Sequence, residues 1–489
     1  MIEPKPLSTE STEDESRELA RFGYKQQLKR TIRGFSSFAL SFSLISMTTG
    51  IFGDFRQGIR HAGPGVIGSW CVAVVGQLLV ALIIAELSAH YPLSGYGYQW
   101  TSRLTNLRFG FFTGWLLLLQ WITGLPGICG VVGEYMAGLA HSQGFATPAW
   151  LTVPVITVAV ITAAAFIHIV SIKLVAIWNN AGVITEIVGS VGVALVLLWG
   201  AGLHPPHGFQ FLLNHTSHYT GQPAHFTGFV LSLLMGAWCL TGFEAAADLS
   251  EETQDPLRVV PRAVVSSLLA SGIGGFLMIA GFLLSIRNLK ATQASDTPLL
   301  DILIANLGLH AAQIVLLVVF VSVFACALAS LALTSRLLFA MARDNMFPFS
   351  KLLSRVNARH GTPIPAIVFV WFVSCAVVLM LERLELFTST SVVAGYLAYA
   401  SILYAALRGL QGKTSEHFRL GRWRLPIGIT ALVWCLFITG AMTIPESEPG
   451  AGHTPAIASG IGIGVGILVY LFVIRGRLRR GEAGVPQEE

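Results

Sequence analysis

The sequence predicts an all-α integral membrane protein with twelve transmembrane helices, of which the first and sixth are broken. Three observations lead there. Hydrophobic residues make up 53% of the 489 positions and charged residues 12%, with a mean hydropathy of +0.67, whereas soluble domains carry about 25% charged residues. So little charge cannot cover a chain with water-compatible surface. The apolar residues fall in runs near the ~20 that a helix needs to cross the hydrocarbon core. Two of those runs are interrupted at mid-depth by a threonine-glycine pair, Thr49-Gly50 and Thr241-Gly242.

Taken in order, the runs are 35–59, 64–89, 109–140, 150–170, 174–200, 226–248, 262–286, 312–340, 364–381, 386–408, 425–444 and 455–474. An even number places both termini on one side. Lys and Arg are retained near cytosolic helix ends, and 26 of the 31 basic residues lie on the side of the N-terminus, leaving Arg56, Arg60, Arg287, Lys290 and Arg383 opposite. Both termini therefore read as cytosolic, in a plasma (inner) membrane protein. The formal charge of +5 comes from short clusters between runs rather than from a basic stripe, which argues against a nucleic-acid partner.

The flanking segments divide the chain further. Residues 1–33 turn from acidic to basic without the apolar core and cleavage site of a signal peptide, so they read as a mobile cytosolic tail. The loop 201–225 carries His204, His207, His215, His218 and His225; their irregular spacing favours a solvated extracellular loop over a zinc site. Residues 476–489 form the C-terminal cytosolic tail. All six cysteines lie in apolar runs, where a thiol behaves as a small hydrophobe, and no disulfide framework is expected.

The two interruptions carry the functional argument. The first run holds Ser46, Met47, Thr48, Thr49 and Gly50, a cluster of poor helix formers, and the sixth holds Thr241 and Gly242. Bare backbone in lipid costs several kcal/mol per group, so unwound chain is tolerated only inside protein or beside a wet cavity. The glycines lie 192 residues and five runs apart. An odd shift inverts the second copy, as in the inverted repeats of secondary transporters. Half-helix N-termini at such breaks attract anions while freed carbonyls hold cations, and an α-amino acid carries both groups. The alternative is close packing of helices on small residues.

"AELSAHYPLSGYGYQW" (85–100), "GFEAAADLSEETQDPLRVVPRA" (242–263) and "SRLLFAMARDNMFPFS" (335–350) resemble signature stretches of the amino acid, polyamine and organocation permeases. The opening from about residue 20 is most similar to the amino acid and choline transporter branch. The resemblance implies a LeuT-like fold, with a first inverted repeat at 34–200, a second at 226–410 and two peripheral helices at 424–475. It also implies a substrate held by Ser46 to Ile51 and by Trp238, Thr241, Gly242 and Phe243, with alternating access and no ATP.

Ionisable residues inside spans are costly and usually functional. Four acids stand out: Glu244 just after the second break, Glu186 in the fifth run, Glu134 toward the outer end of the third and Glu86 toward the inner end of the second. Glu244 reads as a carboxylate sensor coupled to proton or substrate. Similar permeases carry Lys or His at the position of Glu186, in the place of a sodium ion, so here the sign is reversed. Removed from water, a carboxyl group favours its neutral form, which suits proton carriage; ionised, it ligates a cation. The resemblance brings Ser330 toward Glu186. Glu134 and Glu86 read as structural or gate residues. Glu251, Glu252 and Asp255 are expected to pair with Arg258, Arg262 or Arg343 when an inner gate shuts.

The function that follows is proton-coupled import or exchange of an amino acid or small amine, with sodium as the other coupling ion. Choline, a polyamine or γ-aminobutyrate are alternative substrates, and a channel or receptor of the same fold is the alternative of another class. A membrane enzyme is disfavoured, since the runs hold no nucleophile with base, no metal-ligand cluster and no cofactor motif.

Overall fold

A computed structural model describes residues 19–24, 30, 32–145, 148, 150–203, 207–218, 226–357, 362–380, 384–410, 415–443 and 454–486. Residues 1–18 of the N-terminal tail, His204, His225, Arg383 and the last three residues lie outside the described residues.

The apolar runs form helices because a backbone out of water must satisfy its own N–H and C=O groups. In chain order they are α1 (Gly34–Ile45), α2 (Met47–Ala62), α3 (Val66–Ser88), α4 (Tyr96–Leu104), α5 (Leu107–Ser142), α6 (Val153–Val170), α7 (Ile172–Thr185), α8 (Val191–Leu203), α9 (Phe226–Cys239) and α10 (Ala245–Asp248). There follow α11 (Pro256–Leu284), α12 (Leu289–Ala294), α13 (Pro298–Leu307), α14 (Leu309–Arg343), α15 (Ser350–Leu353), α16 (Ile364–Met380), α17 (Leu384–Gly409), α18 (Arg424–Ala441), α19 (Thr454–Val469) and α20 (Arg475–Arg479). Among the described residues nine helical stretches are long and apolar enough to cross a membrane, the first of them running from Gly34 to Ser88; α9 and α16 are shorter apolar helices. The protein is a multi-pass, all-helical membrane protein, whose one isolated β-bridge among the described residues joins Ile32 to Thr253.

The core lies where α1 and α2 meet α5, α9, α14 and α17, with α17 packing most extensively on α5, α9 on α2, and α11 on α3. Small residues let these helices approach closely. Trp70 of α3 lies over Gly275 of α11 and donates its indole N–H to the Gly272 carbonyl at 2.9 Å. The outer faces of α6, α8, α16, α18 and α19 leave Phe166, Trp199, Phe372, Val433 and Ile461 exposed, as lipid contact requires. Glu86 ties α3 to the start of α18, accepting two bonds from Arg424 at 2.8 Å and one from the Leu420 N–H at 3.0 Å.

The N-terminal tail departs from the mobile segment expected of it. Leu19, Phe22 and Tyr24 are buried, Arg103 donates to the Phe22 carbonyl at 3.1 Å, and the Tyr24 hydroxyl donates to Asp344 at 3.0 Å. An acidic stretch of polar residues gave no hint that three apolar side chains within it had a docking surface at the basic end of the bundle.

Candidate functional site

The first break is narrower than the cluster Ser46–Gly50 suggests. Met47 to Gly50 are already helical, and only Ser46 leaves the helix, at φ 33° and ψ 81°. A non-glycine residue in the left-handed region costs about 1–2 kcal/mol, and Ser46 offsets it by capping both half-helices. Its N–H closes α1 on the Phe42 carbonyl at 3.0 Å, and its Oγ accepts the Thr49 N–H at 3.2 Å at the start of α2.

The second break is wider. The helix ends at Cys239, the chain crosses Leu240 to Glu244 without helix, and α10 resumes at Ala245. Gly242 has φ 103°, which glycine adopts without steric cost. The carbonyl of Trp238, freed at the break, accepts the Thr241 hydroxyl at 2.8 Å, and the Leu240 carbonyl accepts from Gln77 at 3.1 Å.

The two breaks are seated on each other. A Cβ on Gly50 would overlap the Cys239 side chain and lie 2.8 Å from its Cα; one on Gly242 would lie 2.8 Å from Leu44 Cγ and 3.0 Å from the Leu44 carbonyl carbon. The Ser41 hydroxyl completes the seam, donating to the Phe243 carbonyl at 2.9 Å and accepting the Ala246 N–H at 3.0 Å. Trp238 lies against Gly53 and Gly127, and Phe243 stacks on Tyr399 with ring centroids 5.8 Å apart.

Each break also has a buried carboxylate. Glu186 begins a π-helical turn, Glu186–Ser190, between α7 and α8, a local bulge of the kind frequent at functional sites. Its Oε1 accepts the Thr48 N–H at 3.1 Å, so the acid occupies the N-terminal end of α2, where the helix dipole favours negative charge. Glu244 accepts the Gly242 N–H at 3.1 Å and the Tyr399 hydroxyl at 2.7 Å.

Ser330 is a correction. The serine of α14 that joins this cluster is Ser322, whose Oγ lies 3.3 Å from Ser46 Oγ; Ser330 is two turns, about 12 Å, further along the helix, and its hydroxyl has no partner among the described residues. Register along a long apolar helix depends on how it slides in its groove, which serine spacing alone does not specify.

The family described as amino acid permease matches residues 32–469. The chain belongs to the amino acid permease family. The permease is 28% identical over 484 residues to the amino-acid permease BAT1 homolog of Oryza sativa subsp. japonica, with 91% of each chain covered. It is 27% identical to amino-acid permease BAT1 of Arabidopsis thaliana, covering 91% of this chain and 92% of that one. Against amino-acid permease 2 of Neurospora crassa the identity is 24%, over 90% of this chain and 84% of the other.

Ion pairs lie toward both ends of the permease. At the basic end Glu251 is bound by both terminal nitrogens of Arg343, at 3.2 and 3.3 Å, and also accepts the Ser94 N–H at 3.1 Å. Glu252 pairs with Arg336 rather than with an arginine of the expected set. Arg258 turns to His417 at 3.4 Å, while Asp255 and Arg262 are exposed. Glu252 thus takes an arginine of α14 in place of Arg258 or Arg262 of α11. At the other end Arg56 pairs with Glu385, with Glu134 at 4.0 Å and with Asp296 at 3.4 Å.

Two buried acids escaped the sequence reading. Asp54 of α2 and Asp248 of α10 have no exposed surface. Asp248 accepts the Gly95 N–H at 2.6 Å; Asp54 accepts the Thr388 hydroxyl at 3.2 Å. Asp54 stands close to Arg56 and Arg60 and passes for the polar end of its run, although its place one residue after Gly53 was a usable signal.

Proposed function

We propose that this permease carries an amino acid or small amine across the plasma membrane by alternating access, coupled to protons and independent of ATP. In this reading twelve spans, ten of them in two inverted halves, surround the paired breaks, and both termini are cytosolic. The observation that carries the proposal is the seating of Gly50 on Cys239 and of Gly242 on Leu44, which puts two unwound segments and the N-terminal end of α2 around one buried centre. Such a centre offers N–H groups to a carboxylate and carbonyls to an ammonium. The relatives' names, amino-acid permeases, support an amino acid as the substrate.

Coupling follows from what Glu186 bonds. A basic side chain here would donate to carbonyls; an acid accepts, and Glu186 holds the Thr48 N–H. Uptake of a proton removes its charge from the α2 terminus and releases that N–H to a substrate carboxylate, so proton and substrate enter together. Glu244 links the second break to α17 through Tyr399, giving α17 a means to sense the same event. The Glu251–Arg343 and Glu252–Arg336 pairs act as the inner gate and the Arg56–Glu385 pair as the outer gate.

Purified protein in liposomes, offered a panel of radiolabelled amino acids and amines, tests this reading. Expected is uptake or exchange that an imposed pH gradient accelerates, and a Glu186→Gln protein in which the acceleration is lost. No uptake or exchange of any of them would sink the transporter reading; a wild-type protein indifferent to pH would remove the proton coupling.

A further inference from the structure

Asp54 lies two turns past Ser46 on α2 with no exposed surface. Its Oδ1 takes the Thr388 hydroxyl at 3.2 Å, while Oδ2 has no partner among the described residues. Gln57, three residues on and also buried, leaves its Oε1 equally unpartnered. Residues three apart are neighbours on a helix, so two buried acceptor atoms without a donor belong to one face of α2. Burying such groups unsatisfied costs about 1–3 kcal/mol each, and more when charged.

The local cation does not serve them. Arg56 is engaged by Glu385, Glu134 and Asp296. The charged groups that bear most on Asp54 are Glu385, Glu134 and Arg56, two carboxyl groups and one guanidinium already engaged by them. A primary ammonium, positive and carrying three donors, matches what is missing.

Position supplies the second half of the argument. Gly50, Gly53, Asp54 and Gln57 follow the spacing of one helix face. Gly50 is seated on Cys239, and a Cβ on Gly53 would lie 2.8 Å from the Trp238 ring. Trp238 and Thr388 both close over Gly127, at 3.2 and 3.3 Å from where its Cβ would be. Asp54, next to Gly53 in sequence and bonded to Thr388, therefore borders the Trp238 wall beside the breaks. It is six residues beyond Thr48, about 9 Å along the axis, a span that side-chain length reduces to that of a four-carbon stem tipped by an ammonium. A cavity of about 880 Å³ at the Arg56 end of α2 is lined by Glu134, Asp296 and Asp301, along with Arg56 and His141, and clefts of one dominant sign concentrate the opposite ion.

We propose that Asp54, assisted by Gln57, receives the distal ammonium of the substrate and so makes amino acids with a basic side chain the preferred cargo. The assignment rests on the transport reading above and names its substrate class.

Lysine and its uncharged isostere norleucine, each radiolabelled, are offered to the full-length protein in liposomes. A lost hydrogen bond to a charged group predicts a lysine KM about tenfold below that of norleucine, and an Asp54→Asn protein whose lysine KM rises about tenfold more than its norleucine KM. Unlabelled lysine should displace norleucine uptake in the wild-type protein, a measurement that needs no variant to fold; Asp54→Glu, which keeps the charge, should retain part of the preference. Equal KM values for the two substrates in the wild-type protein, or an Asp54→Asn change that raises both alike, overturns the assignment and leaves transport standing. Absence of uptake of these and of every other amino acid overturns the transport reading and this assignment with it.

Discussion

The break in the first span and the break in the sixth look like copies in the sequence, each a threonine followed by glycine, yet the backbone solves the same problem in opposite ways. At Ser46 one residue leaves the helix, its own hydroxyl caps the next half-helix, and the carboxylate that faces the new N-terminus comes from Glu186 on another helix. At Leu240 to Glu244 five residues lie between the half-helices, a glycine takes a conformation others resist, and the carboxylate is Glu244, two residues after that glycine on the same chain. The difference teaches where motion can couple to charge. A cap lent by a neighbouring helix is lost when the helices separate or the acid is protonated, whereas a cap supplied by the next turn travels with its own segment.

The sharpest way to break that comparison is at the glycines. Gly242→Ala puts a Cβ 2.8 Å from Leu44 at φ 103°, adding overpacking to backbone strain, for a cost of about 3 kcal/mol or more. Gly50→Ala keeps helical dihedrals but overlaps Cys239 more tightly, at its Cβ and Sγ and 2.8 Å from its Cα, so overpacking alone carries its cost. Both substitutions should lower the melting temperature in detergent, and a Gly50→Ala or Gly242→Ala protein as stable as the wild type would show that the breaks are not seated on each other.

A reference point lies outside both breaks, at the basic end. Asp344 accepts from Tyr24, Tyr98 and Gln99, but burial outweighs these donors and nearby Arg343 and pushes its carboxyl up from 3.8 to about 6. The folded protein thus holds this proton more tightly than the unfolded chain, and stability falls as pH rises from about 4 to about 6, by on the order of 2 kcal/mol. Asp344→Asn should flatten that slope in a pH series of melting temperatures, while substitutions at either break should leave it in place.

The smallest effect separates the two jobs of Ser46. Ser46→Ala removes the cap and keeps the strain, at about 1 kcal/mol, while Ser46→Gly removes the cap and relieves the strain, leaving a few tenths. Equal losses in the two proteins, again by melting temperature, would mean that the left-handed residue is not strained.

Much of the site was legible in one dimension. Thr-Gly interruptions inside apolar runs and the acids Glu186 and Glu244 followed from the cost of polar groups in lipid, and Glu251 and Glu252 from the acidic run that leads the chain out of it. Their partners were not. Glu252 takes Arg336 instead of the nearer arginines, Ser322 stands where Ser330 was expected, and Asp54 was hidden by the basic residues beside it. Each of these depends on the rotation and slide of one helix against another, which an apolar pattern tolerates over several residues.

By itself the sequence determined that the chain is helical and lies in a membrane, because 53% hydrophobic residues in long runs leave no other solvent for it, and that its backbone yields within the first and sixth of those runs. Only the tertiary structure decided that the two yielding points interlock, that Glu186 accepts the Thr48 N–H, and that residues 19–24 dock at the basic end. The reason is physical: burial of apolar surface is non-directional and can be summed along a chain, whereas hydrogen bonds and close contacts exist only for particular pairs of atoms brought together from distant residues.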